Sequence, residues 1–376
     1  MSSAKPQEPM PAHARGPVSV ARHAWPGRQR GISTDALESL LLSLIAMAAA
    51  GVLFGGFLAV QGHDALAVYR TLYLGAFGTR FSIESTLTQA APLLLTALCT
   101  LIPARVGLLV IGGEGAVVLG GLGATLAGVA LGGAPEVVGT VMTIAAGALA
   151  GGLWIATAGA LKHFRGVNET ISTLLLNYIA IALLNHLVSG PIRDFSQTLK
   201  AQSWSIPKGF MIGNIPHLSV HWGLIIGLLV CGGLHLLLRR TTLGFAMDIL
   251  GGNRRAAQLT GLPIGRLILL ACFLGGAAAG LAGAIEIVAV HGAASESLVV
   301  GLGYAGILVA FLARQNALAV VLVAMVLGGI SASGGLLQRR FDIPHAATTV
   351  LQGLIFLCVL ASGTFRGRLL PRRGAQ

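Results

Sequence analysis

The chain alternates long apolar runs with short basic interruptions almost to its end, and that alternation limits what it can fold into. Crossing about 30 Å of hydrocarbon takes roughly 20 apolar residues, and runs at about 39–60, 84–102, 137–160, 221–238, 267–290 and 344–364 meet that need. ARVGLLVIGGEGAVVLGGLGATLAG from Ala104 supplies a third span and GVNETISTLLLNYIAIALLNHLVSGP from Gly166 a fifth. GLGYAGILVAFLARQNALAVVLVAMVLGGISASGG from Gly301 supplies an eighth and a ninth, meeting at Arg314. A backbone in hydrocarbon must satisfy its own hydrogen bonds, so such runs predict helices. The expected fold is all-α, a polytopic membrane bundle of about ten transmembrane helices with a short cytoplasmic coupling helix.

Composition agrees. A mean hydropathy of +0.81 with only 10% charged residues is more apolar than one soluble core can bury. The 53 glycines suit a bundle in lipid, where small residues let backbones approach. Gly51/Gly55, Gly147/Gly151 and Gly276/Gly280 repeat at helical spacing and predict close crossings.

A formal charge of +12 raises the question of nucleic acid. The basic residues, however, are spread over the N-terminal arm, the short loops and the tail, with no aromatic interleaving, so they are better matched to lipid headgroups and to topology. With both termini cytoplasmic, Arg105, Lys162, Arg239, Arg314 and Arg366 fall inside, while Arg339 and Arg340 fall outside, against the charge rule. The expected organisation is a flexible cytoplasmic arm at 1–38, a transmembrane domain at 39–365 and a basic cytoplasmic tail at 366–376. The lead-in before the first apolar run favours a retained span over a cleaved signal.

Catalytic groupings are not apparent. Cys99, Cys231, Cys272 and Cys358 stand singly in apolar runs, as packing residues do. His217 and His221 have ligand spacing but no third ligand nearby. No Gly-x-x-x-x-Gly-Lys-Ser/Thr occurs, so energy for uphill transport would come from a partner. The Gly301-x-Gly303-x-x-Gly306 pattern lacks the strand before it that a dinucleotide site needs, and it fits helix packing instead.

Between the sixth and seventh spans lies Arg239 to Arg266, too charged for hydrocarbon and too short for a domain. Thr241 or Thr242 can cap a short helix through Met247 and Leu250, Gly251-Gly252 breaks it, and Asn253 can cap a second piece before Gly261 and Pro263. The run GFAMDILGGNRRAAQLTGLP resembles the cytoplasmic coupling loop of ABC-importer permeases of the branched-chain amino acid, ribose and nucleoside type. The resemblance implies that Gly244, Met247, Asp248, Gly251, Gly252, Asn253, Ala256, Ala257 and Gly261 form the element that sits in a cleft of the ATP-binding subunit.

Three further segments carry the resemblance in order. Ala104, Arg105, Gly107, Leu108, Ile111, Gly112, Glu114 and Gly115 match a second family pattern, with Val110 in place of Asn and Ala116 in place of Gln. Gly166, Asn168, Glu169, Thr173, Leu176, Asn177, Tyr178 and Ala180 match a third, and Gly303 through Asn316 a fourth, with Ala313 for Gly. The resemblance implies an ATP-driven importer of nucleosides or simple sugars working by alternating access; the rival readings are an ABC permease for another small solute, of the branched-chain amino acid type, and an ion-coupled secondary transporter. It implies, as partners, an ATP-binding subunit holding ATP and Mg, a second homologous permease, and an extracytoplasmic solute-binding protein that meets the outer loop at 190–220.

Several polar residues stand where a solute path could run. Glu114, inside an apolar helix, either lines the path or is satisfied by Arg105 or a backbone turn. Asn168 and Glu169 suit the start of the fifth span. Asn177 and Asn185 share a helix face and could line a path or bond between helices; Glu286 lies on the solute route or reaches the interface.

Overall fold

The computed structural model describes residues 34–196, 200–313 and 316–363, and the readings of the arm before Thr34, of Arg314 and of the tail after Gly363 lie outside them. The described chain is helical: α1 (Thr34–Val60), α2 (Ala65–Phe77), α3 (Arg80–Ala104), α4 (Gly113–Ala130), α5 (Glu136–Arg165), α6 (Glu169–Ser189), α7 (Gly223–Arg240), α8 (Thr242–Gly252), α9 (Arg254–Leu259), α10 (Ile264–Glu286), α11 (Leu302–Leu312), α12 (Ala317–Phe341) and α13 (Ala346–Gly363). Eight helices among the described residues are long and apolar enough to cross a membrane. The expected eighth and tenth spans correspond to the shorter apolar helices Glu296–Leu312 and Ala346–Ser362.

The core is built by α3, α4 and α10, whose apolar windows are more than two-thirds buried, while the windows of α1, α5, α6 and α7 are only one-fifth to one-third buried. The glycine pairs on α5 and α10 explain the tightest crossing. A Cβ on Gly280 would collide with the Gly147 carbonyl, one on Gly276 with the Gly151 carbonyl, and one on Gly120 of α4 with Gly280 itself. Three helix backbones thus meet with no side chain between them.

Two expectations are corrected. Residues 61–80, which the expected spans at 39–60 and 84–102 leave as an outer connection, contain α2. Asp64 caps it by accepting from the Leu66 N–H at 2.9 Å, and Val68, Thr71, Leu72, Gly75 and Ala76 form its buried stripe. The Gly51/Gly55 pair on α1 faces this helix, with the Tyr69 hydroxyl donating to the Gly51 carbonyl. The third span is shorter than its apolar run, because α4 starts only at Gly113 and residues 106–112 are not helical.

Contacts sort the helix ends into two groups. Arg105, the ends of α5 and α7, α8, α9 and the start of α10 share one end. Residues 190–196 and 200–222 lie at the other. There Ile206 N–H donates to the Gly292 carbonyl at 2.8 Å, Ile212 N–H to Val288 at 2.9 Å, and Ser219 N–H to the Glu84 carboxylate at 3.1 Å.

Candidate functional site

The interruption at Arg239 to Arg266 forms the two short helices expected. Thr241 accepts from the Gly244 N–H at 3.4 Å to start α8. Asn253 ends α8 and caps α9, accepting from Arg255 and Ala256 N–H groups at 2.9 and 3.1 Å. One side of this pair is anchored in the bundle. Gly244, Met247, Leu250 and Ala257 are buried, and a Cβ on Gly244 would strike the Leu238 carbonyl. Gly251 lies against the Arg105 carbonyl and Gly107, so a side chain there would collide with the linker between α3 and α4. The other side is open. Gly252, Asn253 and Gly261 are exposed, Ala256 is half-buried, and Phe245 and Leu259 present 68% and 84% of their surface. Those two apolar side chains on a polar loop were not singled out in the sequence; apolar residues two positions from the buried Met247 on α8 and Ala257 on α9, and so on the far side of each helix, are the signal that marks them.

Asp248 is bound by the guanidinium of Arg105 at 2.9 Å. Arg105 is therefore committed to the loop and does not serve Glu114, one of the two partners the sequence suggested for it. The non-helical segment that follows Arg105 is partly buried, with Gly107 and Leu109 exposed; the N–H groups of residues 106–108 bond back to the end of α3 and side chains satisfy residues 109–111. Thr100 donates to the Val110 carbonyl at 3.2 Å, Thr170 to Leu109 at 3.1 Å and Asn177 to Ile111 at 3.2 Å, while Thr173 accepts from the Ile111 N–H at 3.2 Å. The break thus persists although Val110 itself brings no side-chain hydrogen bond.

Glu114, in the first turn of α4, is fully buried. Its carboxylate accepts from the N–H groups of Gly301 and Gly303 at 2.8 and 2.7 Å, at the start of α11. Gly301 holds a φ of +82°, the left-handed region that glycine enters without strain. Asn177 is equally buried and accepts from the Gly115 N–H at 2.7 Å, with the Tyr304 hydroxyl 3.4 Å from its amide. The structure therefore brings together Glu114, Asn177, Tyr304 and the α11 N-terminus around the first turn of α4. Asn168 and Glu169 stand apart from this cluster. Asn168 caps α6 through Thr170 and Ile171, and Glu169 pairs with Lys162 at 2.8 Å.

Toward the opposite end, α10 closes in a π-helical turn, Ile287–His291, of the kind often found at functional sites. Glu286 precedes that turn with His291 at 3.7 Å, and His291 in turn lies 3.5 Å from the Ser297 hydroxyl. Asn185 is half-buried on α6. An open recess of about 600 Å³ at this end is lined by Arg80, Phe81, Glu84, His217, Leu218 and Ser219, with Arg80 paired to Glu84 at 2.9 Å.

Comparison with known proteins agrees with this architecture. Residues 82–360 match the family described as branched-chain amino acid transport system / permease component. The guanosine ABC transporter permease protein NupP of Bacillus subtilis is 32% identical over 348 residues, covering 90% of this chain and 99% of that protein. The glucose ABC transporter permease protein TsgB13 of Haloferax volcanii is 29% identical, over 89% of this chain and 90% of that one. The nucleoside ABC transporter permease protein NupB of Lactococcus lactis is 24% identical, over 85% and 90%. The chain belongs to this permease family and is a multi-pass membrane permease subunit of the ABC importer type.

Proposed function

We propose that the chain carries nucleosides or simple sugars into the cell, as the membrane half of an ATP-driven importer. Relatives whose names specify guanosine, nucleoside and glucose transport support that solute class. ATP and its Mg are held by a separate ATP-binding subunit. A second, related permease completes the pathway and an extracytoplasmic protein delivers the solute to the end where residues 190–196 and 200–222 lie. In this arrangement the chain lies in the cytoplasmic membrane with both termini inside.

The observation that carries the reading is the two-sided build of α8 and α9. Met247 and Ala257 anchor them in the bundle while Phe245, Gly252 and Leu259 lie open to a partner. A rigid element exposed on one side and pinned to the linker before α4 on the other can convert movement of an ATPase into a shift of the helices around Glu114 and Asn177. Alternating access then follows from an ATPase that contacts the two states differently.

The test is uptake of labelled nucleosides and of ribose by cells lacking the chain and by cells given it back, with the tagged chain purified in parallel. Restored, ATP-dependent uptake together with a co-purifying ATPase is expected. Restoration of ribose uptake alone moves the solute class to sugars; uptake driven by an ion gradient, with no ATPase attached, overturns the reading.

A further inference from the structure

At the Arg105 end, the last turn of α5 and the first turn of α10 diverge around a cavity of about 280 Å³. The two helices touch backbone to backbone deeper in the bundle, at Gly147, Gly151, Gly276 and Gly280, so the gap opens only near their ends. Its floor is Gly265, which leaves room for the His163 imidazole: a Cβ there would collide with Nε2. The Phe164 ring meets His163 edge to face with centroids 4.8 Å apart, and Ile264 and Leu269 line the apolar side.

The polar groups of this cavity are basic or unpaired. Arg266 lines it and is exposed, and Arg165 is exposed at the end of α5. Nδ1 of His163 is buried with no hydrogen-bond partner among the described residues. No carboxylate lines the cavity, and the nearby Glu169 is taken by Lys162. Both flanking helices belong to membrane-length segments, Glu136–Arg165 and Ile264–His291, which end or begin here, so the cavity stands at headgroup level. Phe164 is 70% exposed, and Leu161 and Leu153 on the same helix are exposed below it, a track suited to an acyl chain.

We propose that this cleft between α5 and α10 is a binding site for an anionic phospholipid, its phosphodiester held by Arg266 with His163 beside it and its acyl chain lying along the exposed leucines of α5. Charge complementarity sets the class: a basic, acid-free pocket at the membrane surface favours an anionic headgroup over a zwitterionic one. The proposal stands apart from the transport reading, since it needs neither an ATPase nor a solute.

The experiment places the full-length chain in phosphatidylcholine nanodiscs containing a minor fraction of phosphatidylglycerol with a photoreactive group near the headgroup. Labelled peptides are then mapped and compared with the matching photoreactive phosphatidylcholine. Preferential phosphatidylglycerol labelling of peptides containing Phe164 and Arg266 is expected. It should fall about fivefold in Arg266→Ala, the loss of one favourable basic contact. The melting temperature in pure phosphatidylcholine checks that the variant folds, and the wild-type lipid preference tests the proposal without any variant. Equal labelling by the two lipids, or unchanged labelling in a folded Arg266→Ala, overturns it. Loss of labelling on adding inorganic phosphate reassigns the cleft to a soluble anion, and loss on adding an ATP-binding subunit reassigns it to that protein; either outcome also overturns the lipid site.

Discussion

The guanidinium of Arg105 lies 2.9 Å from the Asp248 carboxylate, joining the start of the non-helical 106–112 segment to the helix α8. The Asp248 side chain is half exposed, so the pair contributes only about 0–1 kcal/mol to stability. Its importance would be mechanical. Asp248→Asn should leave the amount of folded chain in the membrane unchanged while lowering solute moved per ATP hydrolysed. Measuring uptake and ATPase rates in one vesicle preparation checks this; an unchanged ratio removes the ion pair from transmission.

Gly252 offers a cleaner probe of the open side of the loop. Nothing lies within 4 Å of a Cβ built there, so a side chain at this position starts into open space. We predict that Gly252→Trp inserts normally but separates ATPase activity from transport. Asn253→Ala, in contrast, removes the cap of α9 and should cost about 1 kcal/mol locally as well. Wild-type uptake in Gly252→Trp would count against docking at this surface.

Variants of Glu114 separate a structural role from a transport role. Glu114→Ala leaves the N–H groups of Gly301 and Gly303 buried without their acceptor, an expected cost of about 3 kcal/mol. Glu114→Gln keeps one acceptor oxygen and should lose less. If the residue only holds α11 against α4, uptake and folded protein will fall in proportion across both variants. A drop in uptake at constant folded amount places it on the solute path.

The crossing of α4, α5 and α10 should tolerate no side chain. Gly280→Ala is expected to destabilise by about 1–3 kcal/mol through forced separation of the helices. Gly233→Ala on α7, where a Cβ meets nothing within 4 Å, should be neutral or slightly stabilising. Thermal unfolding of both variants in detergent tests the contrast.

His221, buried just before α7 with neither ring nitrogen bonded among the described residues, should make stability pH-dependent. Burial holds its pKa below the ordinary 6.5. Below about 6.5 the unfolded chain takes up a proton that the folded chain refuses, so this residue's contribution declines as pH falls from there toward the folded value. His221→Phe should flatten that part of the melting-temperature profile. An identical slope in the variant would assign the dependence to other groups.

Much of this molecule follows from one-dimensional information. A run of about twenty apolar residues has one low-energy solution in lipid, so most of the spans could be located without coordinates. The caps at Asn168 and Asn253 were legible because each acts on N–H groups two and three residues ahead. Small residues at helical spacing announced close helix packing, although not that α5 meets α10 at these pairs or that α4 joins them through Gly120. Helix α2 stayed hidden because it is short and its stripe is completed by α1 and α12, neither of which is local.

The partners of the buried polar groups belong to tertiary structure alone. Glu114 meets its donors 187 and 189 residues further on, and Arg105 meets Asp248 across 143 residues. Within the break at 106–112, the backbone of residues 109–111 is satisfied by Thr100, Thr170, Thr173 and Asn177, from α3 and α6. By itself the sequence determined which segments enter the membrane, since burial of an apolar run depends on its own composition. Only the folded bundle decided which polar groups pair inside it, because each pairing depends on where distant helices come to lie.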